Sequence, residues 1–140
     1  AMIPRQYTCQ GENTSPPLAW GAPPSGTQSF VVIMEDPDAS RLWDHWVVYN
    51  LPGNLTGLEP GIRTDADLPS GAAHGKNTAG TSEYRGPCPP AGPAHRYFIR
   101  VYALDQKLNL RGGASKADVQ SAMRGHVLAE GQLMGRYQKQ

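Results

Sequence analysis

The sequence predicts a mainly β, turn-rich fold, and three observations carry that prediction. Sixteen glycines and thirteen prolines in 140 residues punctuate short apolar runs along the whole chain, which favours strands and turns over a helix bundle. The run Phe30-Val31-Val32-Ile33-Met34-Glu35 is rich in β-branched residues, too short for a helix, and closed by Asp36-Pro37. A later run, His95 to Leu104, alternates with period two. One domain spanning residues 1–140 is expected, long enough to bury a core without needing disulfides or metal.

The elements follow in chain order. The proline-dense stretch Ser15 to Pro24 carries Leu18 and Trp20 between its prolines and reads as an early extended edge element packed on a core. Phe30 to Glu35 is a buried strand. His45-Trp46-Val47-Val48-Tyr49-Asn50-Leu51-Pro52 is apolar on both alternating faces and pairs antiparallel with it. The pairing sets Asp36 and His45 on one edge of the sheet, separated only by their connecting loop. Gly53 to Gly92 is a long Gly- and Pro-rich passage, either functional or meandering over the surface, with a turn expected at Gly75-Lys76-Asn77. In the strand from His95, Arg96 and Arg100 share one face, while His95, Tyr97, Ile99, Val101 and Ala103 share the other and point to the core. Ser115-Lys116-Ala117-Asp118 reads as the capped start of a short helix through Val119, Ala122 and Met123, ended by Gly125. Leu128 to Gln138, with Gly131 and Gly135, reads as a terminal strand.

Thirteen Lys and Arg against twelve Asp and Glu leave a formal charge of +1, so no broad field argues for nucleic acid or an anionic membrane surface. No apolar stretch approaches the ~20 residues of a spanning helix, and the chain reads as soluble. A cytoplasmic location is expected, or a periplasmic or secreted one if an export signal was removed. Cys9 and Cys88 are compatible with one disulfide and equally with two reduced thiols. The four histidines, His45, His74, His95 and His126, lack metal-ligand spacing, and no glycine-rich phosphate loop follows a strand. Neither metal nor cofactor is expected.

The residues that could carry chemistry gather at strand ends. A carboxylate beside an imidazole stabilises its protonated form, which donates two hydrogen bonds; Asp36 beside His45 fits that pairing. His95 and Tyr97, core-facing, add donors inside apolar walls. In Gly86-Pro87-Cys88-Pro89-Pro90 the prolines stiffen the backbone and lack N–H groups, leaving Gly86 and Cys88 as the donors of a rigid loop suited to phosphate or carboxylate. The blander alternatives are a common Asp-Pro-Asp turn, a merely stiff loop and a satisfied core histidine. Convergence on one rim favours the site. Cysteine catalysis at Cys88 finds no orienting group or oxyanion hole beyond these same residues.

With Tyr7-Thr8-Cys9, Gly11-Glu12-Asn13, Ser15-Pro16-Pro17-Leu18, Asp36-Pro37-Asp38-Ala39, His45-Trp46-Val47-Val48-Tyr49-Asn50, Tyr84 through Pro90, His95-Arg96-Tyr97 and Gly125-His126-Val127-Leu128-Ala129 in this order, the chain resembles the phosphatidylethanolamine-binding protein family nearly end to end. The resembling branch is the prokaryotic, Raf kinase inhibitor-like one. The resemblance implies an antiparallel β-sandwich with a few short peripheral helices and a pocket for phosphate, phosphorylethanolamine-like headgroups or other small anions. Asp36, His45, His95 and Tyr97 fall on the family's pocket positions, with Trp43 and the loop Gly86, Pro87, Cys88 and Pro89 at the wall. Ser40 stands where the family's first motif often has proline, and the extra C-terminal helix of larger eukaryotic members is lacking.

The expected function is therefore non-enzymatic binding of a small anion, a phospholipid headgroup or the acidic group of a partner. Inhibition of a protease or regulation of a kinase through the loops between Gly53 and Gly92 is the alternative, and a homodimer is open. A phosphoester hydrolase using an Asp–His pair as acid and base is the third reading.

Overall fold

The computed structural model describes residues 1–140. The chain opens with a single 3-10 turn at Arg5–Tyr7, followed by the short strand β1 (Leu18–Ala19), then β2 (Ser29–Asp36) and β3 (Trp43–Pro52). Within the long Gly53–Gly92 passage lie β4 (Gly57–Leu58), a 3-10 turn at Asp65–Asp67 and β5 (Ala73–His74). β6 (His95–Leu104), the helix α1 (Lys116–Met123) and β7 (Val127–Tyr137) complete the chain. Strands β5-β3-β2-β6-β7 form one antiparallel sheet, and β1 pairs with β4 in a second sheet of two strands.

Both faces of the large sheet are covered, which is why β2 reads as a continuous apolar run. On one face Phe30, Val32, Met34, Trp46, Val48, Tyr97, Ile99 and Tyr137 pack with Leu58, Ile62, Leu68 and Tyr84 from the long passage, and Leu18 and Trp20 close over them. This is the sandwich layer, a large sheet facing a small one. On the other face Val31, Ile33, Val47, Tyr49 and Leu104 pack against Leu108 and against Val119 and Met123 of α1. Each fully buried side chain of this size contributes about 1.5–3 kcal/mol relative to exposure, so the two clusters together fix the sheet at its centre.

The helix is capped as its sequence requires: Ser115 accepts from the Asp118 N–H, and Gly125 follows in the left-handed region at φ 79°. The turn expected at Gly75-Lys76-Asn77 lies further on. Residues 75–77 form no turn, and the Asn77 side chain organises the following turn by accepting the Thr81 N–H while donating to the Glu83 carbonyl. A short polar side chain can replace a backbone partner in this way.

One irregularity matters most for function. Met34 pairs with Trp46 and Glu35 with Asp44, so His45 is an extra residue in a β-bulge. Strict alternation would send His45 to the helix-covered face with Val47 and Tyr49. The bulge turns it to the face of Trp46 and Tyr97 instead. It is held there from behind, because Glu35 and Asp44, like charges paired across the strands, are bridged by Lys116 at 3.0 and 2.7 Å, and Glu35 also pairs with Arg100.

Candidate functional site

Asp36, at the end of β2, is 3% exposed, and such a carboxylate must be paired or hydrogen-bonded. One oxygen accepts the Asp38 N–H at 2.8 Å and the other faces Nδ1 of His95 at 2.7 Å. A carboxylate only accepts, so His95 carries its proton on Nδ1 and its Nε2 is left for another partner. The partner of Asp36 is thus His95 at the start of β6, not His45. The expected edge is right and the expected pair is wrong, because the bulge and the sheet order β3-β2-β6 set the two histidines on opposite sides of β2.

His45 is held by backbone. Its Nδ1 lies 2.6 Å from the Arg85 carbonyl, and the Arg85 N–H donates to the His45 carbonyl at 3.0 Å. A carbonyl requires an N–H donor, so His45 too presents Nε2. Burial lowers its pKa from the ordinary 6.5, opposed by the Arg85 carbonyl and the charges of Asp36 and Asp44. Among the four histidines, His74, His95 and His126 place Nδ1 on a carboxylate, and His45 alone places it on a carbonyl.

Tyr97 stands between the two histidines, its ring edge-on to His45 at 5.3 Å and stacked on His95 at 6.4 Å. Its hydroxyl is buried without a hydrogen-bond partner. Burial first and the nearby Asp36 charge second push its pKa up, so it remains a donor throughout the physiological range. Trp43 closes one side, tilted against His45 at 6.4 Å with the Arg41 guanidinium over its ring. The structure brings Asp36, Trp43, His45, His95 and Tyr97 together.

The loop behaves differently from expectation. Gly86 is buried, and its N–H is taken by the Asn13 side chain at 2.8 Å, so it is not free for an anion. A Cβ at Gly86 would overlap the Tyr7 carbonyl and the Asn13 side chain, which is why glycine is required. Cys88 is bonded to Cys9, with Cα atoms 5.4 Å apart, and so offers no thiol. Pro87 and Pro89 are buried; the Pro87 carbonyl accepts from the Cys9 N–H. The loop's contribution is to position His45 through Arg85. Asn13 and Arg85 stand in the resembling segments, but the sequence assigns them no role: Asn13 sits in the left-handed region at φ 59°, where Asn is enriched, while a backbone carbonyl leaves no side-chain signature.

Outside the cluster, Arg96 pairs with Asp38 in a fork of side-chain hydrogen bonds at 2.8 and 2.9 Å, which draws the Asp38 carboxyl down to about 2. Of three principal cavities, one of about 240 Å³ touches the cluster through Tyr97 and is lined also by Ile3, Tyr7, Met34 and Tyr84. The other two, including a groove of about 460 Å³ along β7, lie away from it.

The lowered pKa of His45 has a consequence for stability. The native state resists protonation more than the unfolded chain, so His45 supplies stability that is complete above pH 6.5 and is lost as pH falls below it. Unfolding free energy is expected to decline on acidification from pH 6.5, and His45→Gln should flatten this first part of the decline. An unchanged slope in the variant, measured by denaturant titration, would refute it.

Fold and site together define a class: small antiparallel β proteins with a histidine–carboxylate–tyrosine rim at one end of a covered sheet. The family model for phosphatidylethanolamine-binding proteins matches residues 1–138, and the chain belongs to that family. It is 53% identical over 98% of its length to a UPF0098 protein of Methanothermobacter thermautotrophicus, covering 91% of that protein. A UPF0098 protein of Aquifex aeolicus is 43% identical, over 98% of this chain and 81% of the relative. A solved phosphatidylethanolamine-binding protein homologue of Chlamydia trachomatis superposes with a TM-score of 0.89 at 41% identity, covering 99% of this chain and 90% of that one. An E. coli member of the family superposes with a TM-score of 0.91 at 33% identity, covering 99% and 92%.

Proposed function

We propose that this protein is a non-enzymatic binding protein whose rim takes a small anion: phosphate, a phosphorylethanolamine-like headgroup or the acidic group of a partner. The observation that carries the reading is the buried Tyr97 hydroxyl, a donor without a partner, set between two histidines that both present Nε2. Asp36 holds the His95 ring through Nδ1 and leaves its Nε2 for the ligand. His45 donates from Nε2 only when protonated, so binding an anion draws a proton onto it against the effect of burial. Affinity therefore falls as pH rises. The bonded state of Cys88 supports a binding role over cysteine chemistry. No helix is long and apolar enough to cross a membrane, and the reading keeps the cytoplasmic placement. The disulfide fits that placement in cells such as hyperthermophiles, which retain intracellular disulfides, or else an oxidising compartment.

The test is a histidine-resolved NMR titration with inorganic phosphate and with phosphorylethanolamine, repeated between about pH 5 and 8. His45 and His95 should shift, with affinity weakening toward the alkaline end. His74 and His126, engaged by Asp65 and Asp105, serve as internal references. Shifts confined to those two, or an affinity flat across the range, would sink the reading.

A further inference from the structure

We infer that the rim selects oxyanions able to carry a proton near neutral pH, namely inorganic phosphate and phosphomonoesters, over sulfate and phosphodiesters. The inference rests on the anion reading above and names the ligand class within it. It follows from a count of donors and acceptors. His95 places Nδ1 2.7 Å from an Asp36 oxygen, and His45 places Nδ1 2.6 Å from the Arg85 carbonyl. Each of those oxygens requires an N–H, so in the neutral ring the proton of both histidines is committed to Nδ1 and Nε2 is a bare lone pair. Toward a ligand the cluster therefore shows two acceptors, with the Tyr97 ring between them and its buried hydroxyl as the donor.

A ligand oxygen without a proton meets such a lone pair with repulsion, whereas an O–H donates to it. The surrounding charges do not change that balance. Asp36 and Asp44 act on His45, Asp36 and Asp38 on Tyr97, and Asp36 and Asp38 on His95, all of them carboxylates. The flanking cations are engaged elsewhere: Arg96 by Asp38, Lys116 by Glu35 and Asp44, while Arg41 lies over the Trp43 ring. The Gly86 N–H of the neighbouring loop is held by Asn13. Inorganic phosphate keeps an O–H even as its dianion, and a phosphomonoester takes up a proton with a pKa of about 6. Sulfate and phosphodiesters are protonated only in strong acid. A phosphate can thus give its O–H to one Nε2 while another of its oxygens accepts from Tyr97. Sulfate has to wait for the imidazoles themselves to be protonated, which burial opposes at His45.

Calorimetric titration of the full chain with inorganic phosphate, sulfate, phosphorylethanolamine and glycerophosphorylethanolamine tests the inference. At about pH 7, phosphate should bind at least about tenfold more tightly than sulfate, because the wrong ligand leaves a buried acceptor unmatched. Charge alone would put sulfate level with phosphate or above it. The monoester should exceed the diester by a similar factor; both carry the ethanolamine amine, so the comparison isolates the protonatable oxygen. The phosphate-to-sulfate ratio should shrink as pH falls to about 5, where the imidazoles supply the protons that sulfate lacks. Imidazole nitrogen shifts of the free protein give an independent readout: at about pH 9, His45 and His95 should each show a protonated Nδ1 and a bare Nε2. Sulfate matching phosphate at neutral pH, the diester matching the monoester, a ratio that does not change with pH, or a protonated Nε2 in either neutral ring overturns the inference and leaves the anion reading standing. Binding of none of the four ligands at any pH overturns both.

Discussion

Replacing both Cys9 and Cys88 with serine is expected to lower unfolding stability by about 2–4 kcal/mol. The bond joins positions 79 residues apart, and cross-linking a loop of that length removes much conformational freedom from the unfolded chain. Its local surroundings are built to match. The Tyr84 hydroxyl donates to the Tyr7 carbonyl at 2.6 Å, Cys9 donates to Pro87, and Asn13 accepts from Gly86. The amino-terminal segment is thereby fastened to the loop whose Arg85 carbonyl aims His45. The double variant should accordingly broaden or shift the His45 resonance while leaving unchanged that of His126, which pairs with Asp105 beyond the opposite end of β6 from His95. Denaturant titration in oxidising buffer, with the variant beside the parent, measures the first effect. A loss under about 1 kcal/mol would mean that these hydrogen bonds, each of about that worth, hold the segment without the covalent link.

Asp36→Asn should weaken phosphate binding at least about tenfold, equivalent to about 1.4 kcal/mol. The asparagine keeps the size and one acceptor but removes the charged acceptor of the His95 Nδ1–H, and with it the hold that aims His95 Nε2 at the ligand. Stability should fall as well, by about 1.5–3 kcal/mol, the range for a hydrogen bond to a charged group. Calorimetric titration with phosphate, beside denaturant unfolding, separates the two effects. Equal or tighter binding by the variant would show that Asp36 repels the ligand and would remove it from the anion site.

The strands were legible because their signals are local. β-branched runs bounded by proline, period-two alternation in β6 and a serine cap before α1 depend on neighbours a few residues apart, and each element stands where those patterns put it. The shared edge of Asp36 and His45 was legible too, since an antiparallel pair joined by a short loop allows nothing else. The pairing within that edge was not. It depends on one extra residue in the β3 ladder and on β6 lying beside β2, and neither has a local signature. The loop donors failed for a related reason: the prolines of Gly86 to Pro90 announce rigidity, but only the approach of Asn13 from a distant part of the chain shows that the Gly86 N–H is already engaged.

By itself the sequence determined the mainly β class, the positions of the long strands along the chain, the helix cap and the roster of groups at the rim, because hydrophobic period and backbone restriction act over a few residues. The tertiary structure alone decided that Asp36 serves His95, that a bulge turns His45 toward Tyr97, and that Cys9 reaches Cys88. Those are contacts between residues far apart in the chain, and their geometry is set by sheet order and packing, which no local pattern encodes.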